Sequence, residues 1–146
     1  MSDQGVSLQW NFANDALTEH LHRLATADLT GLKQDIGEYA IGQIQDRFDH
    51  QKLFDGTAMP PSKAAGSRGG QTLIRSRLLY KSYVYQVTDD GVEWGSDSPY
   101  ARIHHFGGET GRTGHRFNMT ARPVMGENEK DENAIGDMIV NELRGI

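Results

Sequence analysis

The strongest constraint on the fold is an apolar stripe that runs through residues 29–48. Apolar residues recur there at steps of three or four, the spacing that places side chains on one face of an α-helix. The stripe consists of Leu29, Leu32, Ile36, Ala40, Ile44 and Phe48. Such a face is stable in water only against another apolar surface. The sequence therefore predicts a long amphipathic helix here, weakened by Gly37 and Gly42.

Two further segments have helical periodicity. The stretch around residues 14–27 places Leu17, Leu21 and Leu24 on one face, with Asn14 or Asp15 as the expected N-cap. The last helix follows a run of acidic residues, "ENEKDE" (127–132), which we interpret as a solvated helix start that suits the helix dipole. Its apolar face is formed by Ile135, Met138, Ile139 and Leu143.

Strand patterns occur in two places. Residues 6–12, "VSLQWNF", alternate apolar and polar side chains and predict a half-buried strand. A second alternating pattern spans residues 83–94 and is interrupted by Asp89-Asp90-Gly91, which predicts a hairpin. After it, "SPYARIHHF" (98–106) has the composition of a short helix, with Ser98 as its cap and Gly107-Gly108 as its end.

The segment 56–126 contains all four prolines and most of the 17 glycines. Within it, residues 56–71 and 108–120 show no apolar periodicity, and we expect both to be flexible loops, the first ordered only against a partner. A chain of 146 residues fits one domain with one core. The expected fold is α+β: a single domain (1–146) in which a small antiparallel sheet packs against helices, with long loops.

Composition excludes several classes of protein. The chain has no cysteine, so disulfides, thiolate zinc sites and cysteine nucleophiles are absent. The formal net charge of −5 argues against a general nucleic-acid binder or a DNA-binding regulator, which usually carries a basic surface. No apolar run is long enough to cross a bilayer, and the first ten residues lack the features of a secretory signal. We therefore expect synthesis in the cytoplasm and no membrane partner.

The adjacent His104 and His105 are the first candidates for a metal or acid–base site. Neighbouring side chains on a helix diverge by about 100°, whereas zinc-binding helices use ligands four residues apart. No nucleophile motif, phosphate loop or calcium loop accompanies the pair. A metal-dependent nuclease that uses His104, His105 and His115 remains an alternative, but the favoured interpretation is a structural element. We expect no enzymatic activity, no cofactor and no bound metal.

The basic, glycine-flanked segment 112–122 carries a second candidate group. Arg112, His115, Arg116 and Arg122 make it basic, away from the acidic final helix. The segment is either an ordinary surface hairpin or an arm that reaches a neighbouring subunit. In a third interpretation its positive charge faces a passage filled with DNA.

Three motifs, taken in order, resemble the phage virion morphogenesis (tail completion) family of Mu-like and related contractile-tailed phages. They are "RFDHQKLFDGTAMPPS" (47–62), "SRLLYKSYVYQVTDDGVEWGSDSPYARIHHFGG" (76–108) and "ARPVMG" (121–126). The resemblance extends from about residue 8 to the end of the chain. Four residues depart from the pattern: Met59 where tryptophan is common, Phe54 where proline is usual, and Val124-Met125 where Phe-Leu is usual.

The resemblance implies a structural virion protein that completes the head-proximal end of the tail, with a fold like those of tail terminators and neck proteins. It implies a homo-oligomeric ring, most commonly of six subunits, around the DNA channel, with the tail tube protein and the neck or head-completion proteins as partners. No sequence-specific binding of nucleic acid is implied. Placement one step towards the head, as a neck or head-completion component, is the close alternative.

On this interpretation, particular residues are expected to contact a neighbouring subunit or partner. They are Tyr100, His104, His105, Phe106, Arg112, Arg116, Arg122 and Met59. Tyr100, Ala101, His104, Phe106 and Gly107 are also expected to fix the short helix against the sheet, and Arg122 with Pro123 to direct the chain into the last helix. The expected location is the virion, after assembly in the host cytoplasm.

Overall fold

The structure, a computed structural model, describes residues 5–9, 15–63, 66, 70, 72 and 78–146. The described residues form five helices and two separate two-stranded antiparallel sheets, which confirms the α+β class. In chain order the elements are α1 (Asp15–Thr26), α2 (Thr30–Asp49), α3 (Leu78–Ser82), β1 (Tyr83–Val87), β2 (Val92–Ser96), α4 (Ala101–Phe106), β3 (Gly108–Thr110), β4 (Phe117–Met119) and α5 (Glu129–Arg144). None of these helices is both long and apolar enough to cross a membrane.

Helix α2 supplies most of the core, as its stripe predicts. Five stripe residues, Leu32 to Phe48 at the predicted spacing, are buried, and Phe48 is completely inaccessible. The central cluster joins Ile44 and Phe48 to Met59, Tyr83 and Val124. The core therefore brings together four segments that are far apart in the sequence.

The β1–β2 hairpin lies against α2 and has the predicted turn. Tyr85 is opposite Trp94, and the turn is closed by a 2.8 Å hydrogen bond from the Thr88 amide to the Gly91 carbonyl. Lys33 of α2 donates to the carbonyls of Thr88 and Asp89, at 2.9 Å each. The helix thus holds the turn as well as the sheet.

The two glycines of α2 have different surroundings. A Cβ atom at Gly37 would overlap the ring of Tyr85, whereas one at Gly42 would meet no atom within 4 Å. Gly37 therefore permits the close approach of β1 to α2, and Gly42 has no such role.

A buried ion pair connects α2 to the start of α5. Arg47 donates to the Asp131 carboxylate at 2.6 Å and to the carbonyls of Val124 and Gly126, and the Tyr39 hydroxyl donates to the same carboxylate at 3.0 Å. Asp131 also belongs to a capping box with Asn128. The interpretation of 127–132 as wholly solvated is thus wrong at Asp131, because the approach of Arg47 makes burial of this carboxylate possible.

The strand predicted for residues 6–12 is wrong for the part that the structure describes. Residues 6–9 are irregular, and Val6 and Leu8 are exposed. An alternating pattern becomes a strand only where a partner strand is available, and none pairs with this segment among the described residues. Residues 10–12, and Asn14 as a possible cap of α1, lie outside the described residues.

The two expected loops differ from each other. Residues 56–62 are attached to the core: Ala58 forms a β-bridge with Lys52, Met59 is buried, and the Ser62 amide donates to Thr72. The expected flexibility of the segment, and its ordering by a partner, stay predictions. Residues 64–65, 67–69 and 71 lie outside the described residues. The second segment, 108–120, is a β3–β4 hairpin with a turn at its tip.

Candidate partner-binding surface

Helix α4 places aromatic side chains in solvent. It begins after a turn in which the Tyr100 amide approaches the Ser98 hydroxyl, and it ends at Gly107, which has a positive φ of 69°. Ala101 is buried, but Tyr100 and Phe106 are 65% and 72% exposed. The prediction that these two side chains fix α4 against the sheet is wrong, because the small Ala101 allows the close contact instead.

The histidine pair is half-buried. The Nδ1 atoms of His104 and His105 are inaccessible to solvent and have no hydrogen-bond partner among the described residues. Burial lowers the pKa of both imidazoles, and the nearby Arg122 guanidinium lowers the pKa of His104 further. Both rings are therefore neutral at pH 7, and the His105 ring stacks edge-on against Phe106 with centroids 4.6 Å apart.

The geometry gives the metal-dependent alternative little support. No group of three His, Asp or Glu side chains in the described ranges is arranged to hold a metal ion. His115 is exposed in the turn of the β3–β4 hairpin, with its amide bonded to the Arg112 carbonyl.

An open pocket of about 190 Å³ lies between α4 and the β1–β2 hairpin. Tyr83, Ser96, His105, Phe106 and Met125 are among its lining residues. Its wall is mainly apolar, so it can accept an apolar side chain.

The β3–β4 hairpin is held at its base and basic at its tip. Gly108 pairs with Met119, and Thr110 pairs with Phe117. Arg116 donates to Glu109 and to the Gly111 carbonyl, both at 3.0 Å. Arg112 is exposed and has no ion pair within the described part of the chain, and Phe117 is 54% exposed. The tip thus offers a cation that has no ion pair among the described residues, beside an exposed aromatic ring.

Met59 and Arg122, which we expected to contact a partner, are internal residues. Met59 belongs to the central core cluster. The Arg122 guanidinium donates to the carbonyls of Pro60, Pro61 and Thr120, and its amide donates to the His104 carbonyl. Arg122 therefore connects α4 to the start of the 56–71 segment, and its burial does not favour a role in partner contact.

Two exposed apolar faces were not among the predicted contact residues. No residue of α1 is buried, and Leu17 and Leu21 face solvent. On α5 only Asp131 is buried, and the distal residues Ile139, Val140 and Leu143 are 38–44% exposed. The apolar periodicity was visible in the sequence, but it does not say which part of a face is exposed.

Sequence comparisons relate this chain to phage proteins. The family model described as the phage virion morphogenesis family matches residues 8–144. The Mu-like prophage FluMu G protein 2 of Haemophilus influenzae is 28% identical over 127 residues, which cover 87% of this chain and 88% of that protein. No solved structure matches significantly.

Proposed function

Because this chain belongs to the phage virion morphogenesis family, we propose that it is a structural protein that completes the head-proximal end of a phage tail. In this proposal it forms a ring around the DNA channel, most simply of six subunits, without catalysing a reaction. Family membership by itself supports a virion structural or morphogenesis role, and the relative is a protein of a Mu-like prophage. The position at the tail end and the ring are the proposed part.

The observation that carries the proposal is that a single copy exposes many large apolar side chains to solvent. Exposed groups lie on α1, at both ends of α4, on the β3–β4 hairpin and on α5. A domain with a small core and several such surfaces is typical of a protein that gains stability from neighbours in an assembly. An enzyme would instead need a set of converging reactive groups, and the half-buried neutral histidines do not supply one.

The proposed partners are further copies of the chain, the tail tube protein on the side of the tail, and the neck or head-completion proteins on the side of the head. The basic tip of the β3–β4 hairpin is proposed to contact one of these neighbours. The open pocket beside α4 is a second proposed binding site, for an apolar side chain of a partner.

The proposal is tested by deleting the gene from the phage that encodes it and examining the lysate by electron microscopy. We expect full heads, and tails whose head-proximal end is incomplete or of irregular length, with few joined particles. An epitope-tagged copy supplied on a plasmid should restore joined particles and be labelled at the head-proximal end of isolated tails.

Two results would contradict this placement. A tag found only on heads, with tails complete, would place the protein in the neck or on the head. Normal particles from the deletion would show that the protein is not a required virion component. A metal-dependent nuclease activity in the purified protein would instead favour the enzymatic alternative.

A further inference from the structure

We propose that the tip of the β3–β4 hairpin of one copy binds the exposed face of α5 on the next copy. The inference rests on the proposed ring and specifies which surfaces close it. The hairpin contributes Arg112 and Phe117, and α5 contributes Glu132, Ile139 and Leu143.

The α5 face combines charge with apolar surface. Glu132, Ile139 and Leu143 follow one another at steps of seven and four residues, so they share one side of the helix. All three are exposed, whereas Asp131 on the adjoining side is buried against Arg47. The side therefore has a carboxylate towards its amino-terminal end and apolar groups towards its carboxy-terminal end.

The hairpin has the complementary arrangement. Arg112 at its tip is a cation without an ion pair within the described residues, because Glu109 is already occupied by Arg116. Phe117 is in the last pair of the ladder before the turn, opposite Thr110, and is more than half exposed. In the proposed contact Arg112 meets the carboxylate at the start of α5, and the Phe117 ring meets the apolar groups on the same side.

The hairpin presents its cation and its ring close together, because the Phe117 ring lies beside Gly111, the residue before Arg112. On α5, Glu132 and Ile139 are separated by a rise of about 10 Å. In the proposed contact the Arg112 side chain extends from the tip towards Glu132, while the Phe117 ring lies against the apolar part of the same side of α5.

The two surfaces also suit a ring. Each copy contributes its β3–β4 hairpin and its α5 face. Because these two surfaces differ, the contact is heterologous. A heterologous contact leaves one of each surface unused at the ends of a row of subunits, and a closed ring satisfies all of them. Binding to a negatively charged DNA backbone would explain Arg112 but not the exposed Phe117 and α5 face.

The first test is chemical crosslinking, which benefits from the absence of cysteine in the chain. Thr113 is exposed in the hairpin turn, and a Cβ atom at Gly136 of α5 would meet no atom within 4 Å. The T113C/G136C variant, treated with a short bismaleimide in isolated tails, should give a ladder of covalent multimers whose top band counts the ring. T113C and G136C alone should stay monomeric, since a heterologous contact never brings two identical positions together.

A matched control moves one cysteine to Gln34, which is exposed on α2. A T113C/Q34C ladder equal to that of T113C/G136C would overturn the proposal. So would the absence of a ladder from tails that contain the protein, and in that case the proposed function would stand. Absence of the protein from tails would instead remove the proposed function.

The second test exchanges charges. R112E and E132R should each lower the yield of joined particles in complementation, with a contact weakened about three- to tenfold. Co-expression of the two variants should restore the yield, because an alternating ring contains only opposite-charge pairs. The R112E/E132R chain should restore it as well. Failure of both combinations, with each single variant folded by circular dichroism, would overturn the contact and indicate that Arg112 meets DNA or another protein.

Discussion

Replacing Asp131 with alanine is expected to destabilise the chain strongly, because it leaves the Arg47 guanidinium buried without its counter-charge. The two side chains are 8% and 6% exposed, and their atoms are 2.6 Å apart. Removal of one member of a buried ion pair costs about 3–5 kcal/mol. Arg47 keeps its hydrogen bonds to the carbonyls of Val124 and Gly126, so the lower end of this range, about 3 kcal/mol, applies.

This loss is a large part of the total free energy of unfolding, which is only about 5–15 kcal/mol for a typical domain. For a chain of this size it corresponds to a fall in Tm of roughly 10 °C. Urea unfolding at pH 7, followed by circular dichroism, measures it directly. Asp137→Ala, at an exposed position of the same helix, is the control and should lie within about 0.5 kcal/mol of the wild type.

The Arg47→Met variant completes a double-mutant cycle. With both charges removed, no uncompensated ion remains. The loss in free energy of unfolding for R47M/D131A should therefore be smaller, by at least about 2 kcal/mol, than the sum of the losses for the two single variants. Additive losses, or a loss below about 1 kcal/mol for D131A, would refute the argument that this pair connects α2 to α5.

Two further predictions concern α2 and α4. Gly37→Ala should destabilise the chain by about 1 kcal/mol, because the added Cβ overlaps the Tyr85 ring. Gly42→Ala, where the added Cβ meets no atom within 4 Å, should stabilise it by about 0.5–1 kcal/mol through the higher helix propensity of alanine. Urea midpoints that rank the two variants the other way would contradict the packing. Because burial lowers the pKa of His104 and His105, the folded state binds fewer protons than the unfolded state below about pH 6.5, and stability should fall as the pH is lowered from 7.5 to 5.5. The stability of the H104Q/H105Q variant should fall less over that pH interval. A fall equal to that of the wild type would show that other groups are responsible.

The fold was predictable where neighbouring residues decide the structure. Helix α2, the β1–β2 hairpin and the end of α4 at Gly107 follow from periodicity and turn chemistry, and the structure has all three. The strand predicted from residue 6 failed because pairing requires a partner segment that local pattern cannot supply.

The candidate surface was predictable only in part. Tyr100, Phe106, Arg112 and Arg116 are exposed, as contact with a partner requires, and such contact remains a prediction. Met59 is buried although it occupies a glycine- and proline-rich segment, because the chain after α2 folds back onto the core. The exposed face of α5 has no distinguishing signal in the sequence, since its apolar residues follow the same period as the packed ones.

Sequence alone determined the helix stripe, the hairpin, the lack of thiol chemistry and the resemblance to a virion family, because each depends on residue identity and short-range spacing. Only the tertiary structure decided that Asp131 is buried, since its partner Arg47 is 84 residues away. It also decided which apolar groups stay in water. Exposure depends on how far each neighbouring element extends, and that is a property of the packed chain rather than of any segment.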